Sequence, residues 1–131
     1  MKCILIDDDP EEIEIFGNAV IALKQPVTFI GYTNFEEALH EMHASKHSLP
    51  NVIFLDGFMK RIAGNEWLRR LKSDQVLAEI PVIIYTGFIS DSNREQVILS
   101  GASDILIKPN QLADLARELN ALFEAFDNTG D

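Results

Sequence analysis

With Cys3 its only cysteine, this chain can form no intrachain disulfide. Cys3 opens the short apolar run Cys3-Ile4-Leu5-Ile6, where a thiol serves as a small buried hydrophobe. Long hydrophobic stretches are missing. No run approaches the length of a membrane span, and Cys3 to Ile6 is too short for the h-region of a signal peptide. A cytoplasmic protein is expected. Positive charge is scarce, with 11 Lys and Arg against 21 Asp and Glu, a net −10. Nucleic-acid affinity rests on clustered Lys and Arg, so that balance argues against direct binding to a phosphate backbone. An acidic surface favours partners that carry basic patches. Repeats and low-complexity segments are also lacking, and 131 residues fit one domain with a sizeable core.

What is present is a set of short apolar runs, each ending on a chemically capable residue. Cys3-Ile4-Leu5-Ile6 leads into Asp7-Asp8, and Val52-Ile53-Phe54-Leu55 into Asp56. Val82-Ile83-Ile84-Tyr85 leads into Thr86, and Ile105-Leu106-Ile107 into Lys108. Such runs, separated by helix-length segments, read as buried parallel strands. Strands are expected over 2–7, 27–32, 51–56, 81–86 and 104–108, and helices over 10–24, 34–46, 64–73, 91–101 and 110–126. Strict alternation with right-handed crossovers gives an α/β protein, a parallel sheet in a three-layer sandwich. The order of its strands stays open at this point.

Local signals support the helices. Asp9-Pro10-Glu11-Glu12 supplies an N-cap, a proline at N1 and acids in the first turn. Ile13, Phe16, Val20 and Leu23 make an inward stripe, as do Leu112, Leu115, Leu119, Leu122 and Phe126. Gly101 marks the stop of the fourth helix. The polar segment from Asp127 to Asp131 reads as a frayed tail after a domain spanning 1–126.

Ligands of open α/β sheets bind beyond the carboxyl ends of the strands. Three carboxylates, a hydroxyl and an amine are therefore expected at one edge. Two like unit charges about 4 Å apart repel by roughly 4 kcal/mol at an effective dielectric near 20. Such a cluster requires cations. An all-oxygen set with few protein groups suits Mg²⁺, Lys108 adds a second positive charge, and Thr86 a donor to a phosphoryl oxygen. An aspartate in that setting can act as a nucleophile toward phosphorus.

Residues 2 to about 126 resemble a receiver domain of the bacterial two-component response-regulator family, of the single-domain chemotaxis-regulator type. Ile4 to Pro10 resembles its first strand and acidic pair. Asp56, Met59 and Gly64 resemble the phospho-acceptor strand and loop, and Pro81 to Gly87 the strand carrying the hydroxyl. Gly101-Ala102-Ser103-Asp104 leading to Lys108-Pro109 resembles the last strand and its lysine. The resemblance implies a flavodoxin-like (β/α)5 fold with five parallel strands. It implies that Asp56 accepts a phosphoryl group from a sensor histidine kinase or phosphotransfer protein. Mg²⁺ would be held by Asp8, Asp56 and the backbone carbonyl of Phe58, with Asp7 acting directly or through water. Lys108 would pair with the acceptor and Thr86 would report the phosphorylated state. It further implies an often-cis Lys108–Pro109 bond, and a signalling phosphoprotein, on occasion a phosphorelay intermediate, that is no conventional enzyme. With no DNA-binding domain in these 131 residues, output is expected through a downstream protein and neither nucleic acid nor membrane. Arg94, Gln96, Val97, Asp104 and Arg117 fall on the face where family members often dock.

Four positions depart from the family's habit. Lys60 replaces a proline that would stiffen the loop beside Asp56. Ile105 stands where many receivers carry a mobile aromatic, so output is expected through the loop after Thr86. Phe58 and Phe88 bring aromatics to positions that govern hydrolysis of the acyl phosphate. Phe58 also counts against a phosphatase of the haloacid-dehalogenase kind, which needs a second aspartate there. The rival that remains is a receiver-like binding module working without phosphorylation.

Overall fold

The computed structural model describes residues 1–57 and 66–129. The sequence-stated features at Phe58, Met59, Lys60, Arg61 and Gly64 lie outside the described residues. Strands and helices alternate in the order β1 Lys2–Ile6, α1 Pro10–Ile21, β2 Thr28–Tyr32, α2 Phe35–Ala44, β3 Val52–Asp56, α3 Glu66–Ser73, β4 Val82–Thr86, α4 Asp91–Leu99, β5 Asp104–Ile107 and α5 Leu112–Thr129. All strands pair in parallel in the order β2-β1-β3-β4-β5. Chain order reverses at β1, the kind of point where a crevice opens beyond the strand ends. Composition follows position in the sheet. The interior strands β3 and β4 are buried along their whole length, whereas β2 and β5 form the edges and are partly exposed.

Helix starts follow the expected chemistry. The Asp9 carboxylate accepts from the Glu11 amide, with Pro10 in the first turn of α1. The Asn34 side chain accepts from Glu37 N–H at 2.9 Å to cap α2, and Ser90 Oγ from Asn93 N–H at 3.1 Å to cap α4. The end of α4 is a Schellman turn, in which Gly101 N–H donates to Ile98 O and Ala102 N–H to Val97 O. Gly101 sits at φ +112°, a backbone state that favours glycine. A Cβ there would also meet Lys72 Cγ at 2.9 Å. The Lys72 ammonium donates onward to the carbonyls of Ala78 and Ile80, so one side chain ties α3 to the approach of β4.

The sheet separates two cores. On one face, α1 and α5 cover Cys3, Leu5, Val52, Phe54, Ile83, Tyr85 and Leu106. On the other, α2, α3 and α4 cover Ile4, Ile6, Ile53, Leu55, Val82 and Ile84. Three expectations need correcting. The buried seam of α5 is Leu115, Ala116, Leu119 and Phe123, while Leu112 is exposed and Leu122 and Phe126 only flank it. Bulky Phe123 fills the space beneath Phe54, turning the helix by about one position from the leucine stripe. Val97 is a core residue of α4 and not part of an exposed docking face. The Lys108–Pro109 bond is not cis, in keeping with the trans preference of proline bonds. In addition, α5 continues to Thr129, past Phe126. Apolar periodicity marks where a helix packs, and backbone hydrogen bonding runs on beyond the last packed residue.

Candidate functional site

Pleat parity decides which strand-end residues meet. Side chains alternate across a strand. Asp7 continues the series Cys3, Leu5, and Asp56 continues Val52, Phe54. Lys108 follows Leu106 and Tyr85 follows Ile83. All four therefore extend the α1/α5 core beyond the end of the sheet. Thr86 continues Val82 and Ile84, on the opposite face.

The Lys108 ammonium occupies the centre. Its Nζ lies 3.2 Å from Asp7 Oδ2, 3.7 Å from Glu12 Oε2 and 3.9 Å from Asp56 Oδ1. It also stands 5.0 Å from the centroid of the Tyr85 ring. Asp7 is 1% exposed and Asp56 8%, so these charges interact through much less water than a surface pair does. The other Asp7 oxygen accepts from Asp9 N–H at 3.0 Å, and the Asp7 amide donates to Tyr32 O, which fixes that carboxylate from two sides.

Burial alone would depress the basicity of Lys108, but the charges of Asp7 and Asp56, the hydrogen bond to Asp7 and the charge of Glu12 outweigh it and hold Lys108 above the ordinary lysine value. Burial, followed by the fields of Glu12, Asp7 and Asp56, raises the Tyr85 hydroxyl above the ordinary phenol value. Burial pushes the Cys3 thiol up to about 12, with a smaller opposing effect from the amino terminus. All three shifts have one sign. Each group keeps its proton in the folded state at a pH where the unfolded chain has lost it. The stability they contribute is complete below their unfolded values and is lost as pH rises through the folded ones. Unfolding midpoints in urea are thus expected to fall from about pH 9 upward, cysteine first. Cys3→Ala should flatten the opening of that decline, and an identical profile in the variant would contradict the assignment.

Asp7, Asp8 and Asp56 each offer a carboxylate oxygen within 4.8 Å of the others. That spacing is near twice the ~2.1 Å of a Mg²⁺–oxygen bond, and the donors are all hard oxygens, so the three residues fit one such cation. Phe58, expected to add its carbonyl, lies outside the described residues. Thr86 is 1% exposed, and its hydroxyl donates to Phe88 O at 3.1 Å. Gly57 leaves room for it, since a Cβ at that position would come within 3.3 Å of Thr86 Cβ. Phe88 is 70% exposed, whereas Ile105 packs against the α2–α4 core.

Sequence reasoning placed Asp7, Asp8, Asp56 and Lys108 together and missed Glu12 and Tyr85. The signal for Glu12 was available. It lies four residues before Phe16 and seven before Ala19, both fully buried, and thus at the site end of the inward stripe of α1. Tyr85 was hidden because an aromatic inside a buried strand needs no function to explain it.

Residues 3–120 match the response regulator receiver domain. The chain belongs to this family, the receivers of two-component response regulators. Among its relatives, the phosphate regulon transcriptional regulatory protein PhoB of Pseudomonas aeruginosa is 33% identical over 92% of this chain and 51% of its own length. Response regulator MprA of Mycobacterium ulcerans is 32% identical over 93% and 50%. The chain thus spans about half the length of these relatives. Among solved structures, the phosphorylated cyanobacterial phytochrome response regulator RcpA superposes with a TM-score of 0.79 at 22% identity, covering 95% of this chain and 91% of that one. The receiver domain of a DNA-binding response regulator from Colwellia psychrerythraea gives 0.76 at 27% identity over 95% and 98%. The flavodoxin-like receiver fold is thereby shared. PhoB is by name a transcriptional regulatory protein and the Colwellia protein a DNA-binding one, and the acidic composition of this chain does not bear on nucleic-acid binding by such longer proteins. Among the described residues, no helix is long and apolar enough to cross a membrane.

Proposed function

We propose that this receiver accepts a phosphoryl group on Asp56 from the phosphohistidine of a sensor kinase or phosphotransfer protein, and signals through altered binding to another protein. One observation carries the reading: a lysine ammonium shared by Asp7, Glu12 and Asp56 at the sheet edge, beside an all-oxygen cluster that fits a divalent cation. A carboxylate oxygen of Asp56 attacks phosphorus, forming an O–P bond. The N–P bond breaks, and its electron pair returns to the imidazole nitrogen, which takes up a proton. Asp7, Asp8 and Asp56 would hold Mg²⁺, whose Lewis acidity offsets charge on the phosphoryl oxygens. Lys108 meets one phosphoryl oxygen, and the Thr86 hydroxyl turns from the Phe88 carbonyl to another. Hydrolysis reverses the state when water attacks phosphorus and the acyl O–P bond breaks, releasing inorganic phosphate and restoring the carboxylate. The protein in this reading modifies only itself and is no conventional enzyme. Exposed Ile98 and Leu99 on α4, Ile107 on β5 and Leu112 on α5 offer an apolar output face.

Intact-mass spectrometry after incubation with Mg²⁺ and a small acyl-phosphate donor tests the proposal. One added phosphoryl group is expected, absent in Asp56→Asn and absent when the cation is chelated. If neither an adduct nor Mg²⁺-dependent beryllofluoride binding is found, the reading fails. The chain is then a binding module that works without phosphorylation.

A further inference from the structure

Tyr85 has a place that core packing does not require. The residues before it on β4, Val82 to Ile84, are aliphatic, and its ring meets Phe16 edge-on, at 5.3 Å between centroids. A leucine fills such a position without a hydroxyl. Tyrosine instead brings a phenol among three carboxylates, and turns its ring toward the Lys108 ammonium at their centre. The resulting surround of Lys108 has Asp7 and Asp56 at the strand ends, Glu12 from α1, and the aromatic face of Tyr85.

We propose that Tyr85 is a positioning residue for Lys108, its ring acting as a fixed rest on which the ammonium pivots between the resting carboxylates and a phosphoryl oxygen on Asp56. An ammonium has three donors and no preferred direction along its flexible stem. An aromatic face attracts the cation through its quadrupole, without using up a hydrogen bond. The hydrogen bond to Asp7 is kept, and the longer contacts, to Glu12 at 3.7 Å and Asp56 at 3.9 Å, are the ones that yield when a phosphoryl oxygen arrives. The ring thereby lowers the ordering cost of the Lys108–phosphoryl contact. This role rests on the phosphoryl-acceptor reading for its consequence, but the ammonium–ring contact itself is independent of it.

Two measurements separate them. The first is the ¹H–¹³C resonance of the Lys108 Cε methylene in selectively labelled protein, assigned by its loss in Lys108→Arg. Ring current should place it upfield of the other lysines in the wild type and in Tyr85→Phe, and return it among them in Tyr85→Leu. The second is Mg²⁺-dependent beryllofluoride affinity, expected to fall about fivefold in Tyr85→Leu and to be restored by Tyr85→Phe. A Lys108 resonance unshifted in the wild type would mean that the ammonium does not rest on the ring, which overturns the proposal even if Tyr85→Leu does not fold. A shifted resonance together with equal affinities in Tyr85→Leu and Tyr85→Phe also overturns the pivot. A shifted resonance in a wild type that takes up no beryllofluoride supports the contact and refutes the phosphoryl reading instead.

Discussion

Lys108→Met is expected to lower the unfolding free energy in metal-free buffer by about 3 kcal/mol, and saturating Mg²⁺ to return most of that loss. The reason is burial. Asp7 is 1% exposed, and Lys108 is the cation bonded to its Oδ2. Removing the ammonium leaves Asp7 beside Asp56 and Glu12 without it, in a place where water screens poorly. A divalent cation at Asp7, Asp8 and Asp56 replaces the missing charge, which is why the variant should gain more from Mg²⁺ than the wild type does. The pair Arg117–Asp114 gives the contrast. Its 2.6 Å separation is shorter than that of Lys108–Asp7, but the arginine is 74% exposed. Arg117→Ala should therefore change stability by no more than about 0.5 kcal/mol. Urea denaturation of the three proteins, with and without Mg²⁺, decides the matter. Equal gains from Mg²⁺ in wild type and Lys108→Met would defeat the electrostatic account.

Phe16→Ala should cost about 4 kcal/mol, the largest loss expected from a single core position. The Phe16 side chain is fully buried. Its ring stacks on Phe29 at 5.2 Å, tilts against Phe54 at 4.9 Å and meets Tyr85 edge-on. One residue of α1 thus touches β2, β3 and β4, so the cavity is walled by several elements and none can collapse into it alone. The urea midpoint should drop without a change in m-value. A loss below about 1.5 kcal/mol would mean that α1 resettles on the sheet.

Much of this architecture was legible because burial wrote it into residue type. Val52 to Leu55 and Val82 to Tyr85 are unbroken apolar runs because interior strands are covered on both faces, and Asp9-Pro10 announces a helix start by capping chemistry. The acids and Lys108 stood out because each breaks an apolar run at its end. What sequence left open was whatever depends on three dimensions. The order of strands is not encoded in any one of them. The rotation of α5 is set by the fit of Phe123 against Phe54, a contact between residues far apart in the chain. Glu12 looked like one more acid in a first helical turn, where the helix dipole already accounts for it. Only the folded position of Lys108, just past the end of β5, reveals that Glu12 shares a cation with Asp7 and Asp56.

The division of side chains between the two faces of the sheet has a consequence for how such a protein can be altered. Asp7, Asp56, Tyr85 and Lys108 belong to the layer under α1 and α5, while Thr86 and Ile105 belong to the layer that carries α2, α3 and α4. In the proposed reading, reaction and readout thus occupy different storeys of the molecule, joined where adjacent residues of β4, Tyr85 and Thr86, point opposite ways. Either storey can be refurnished with new side chains while the other keeps its fit. A lineage can in this way change whom it addresses without relearning how it is switched.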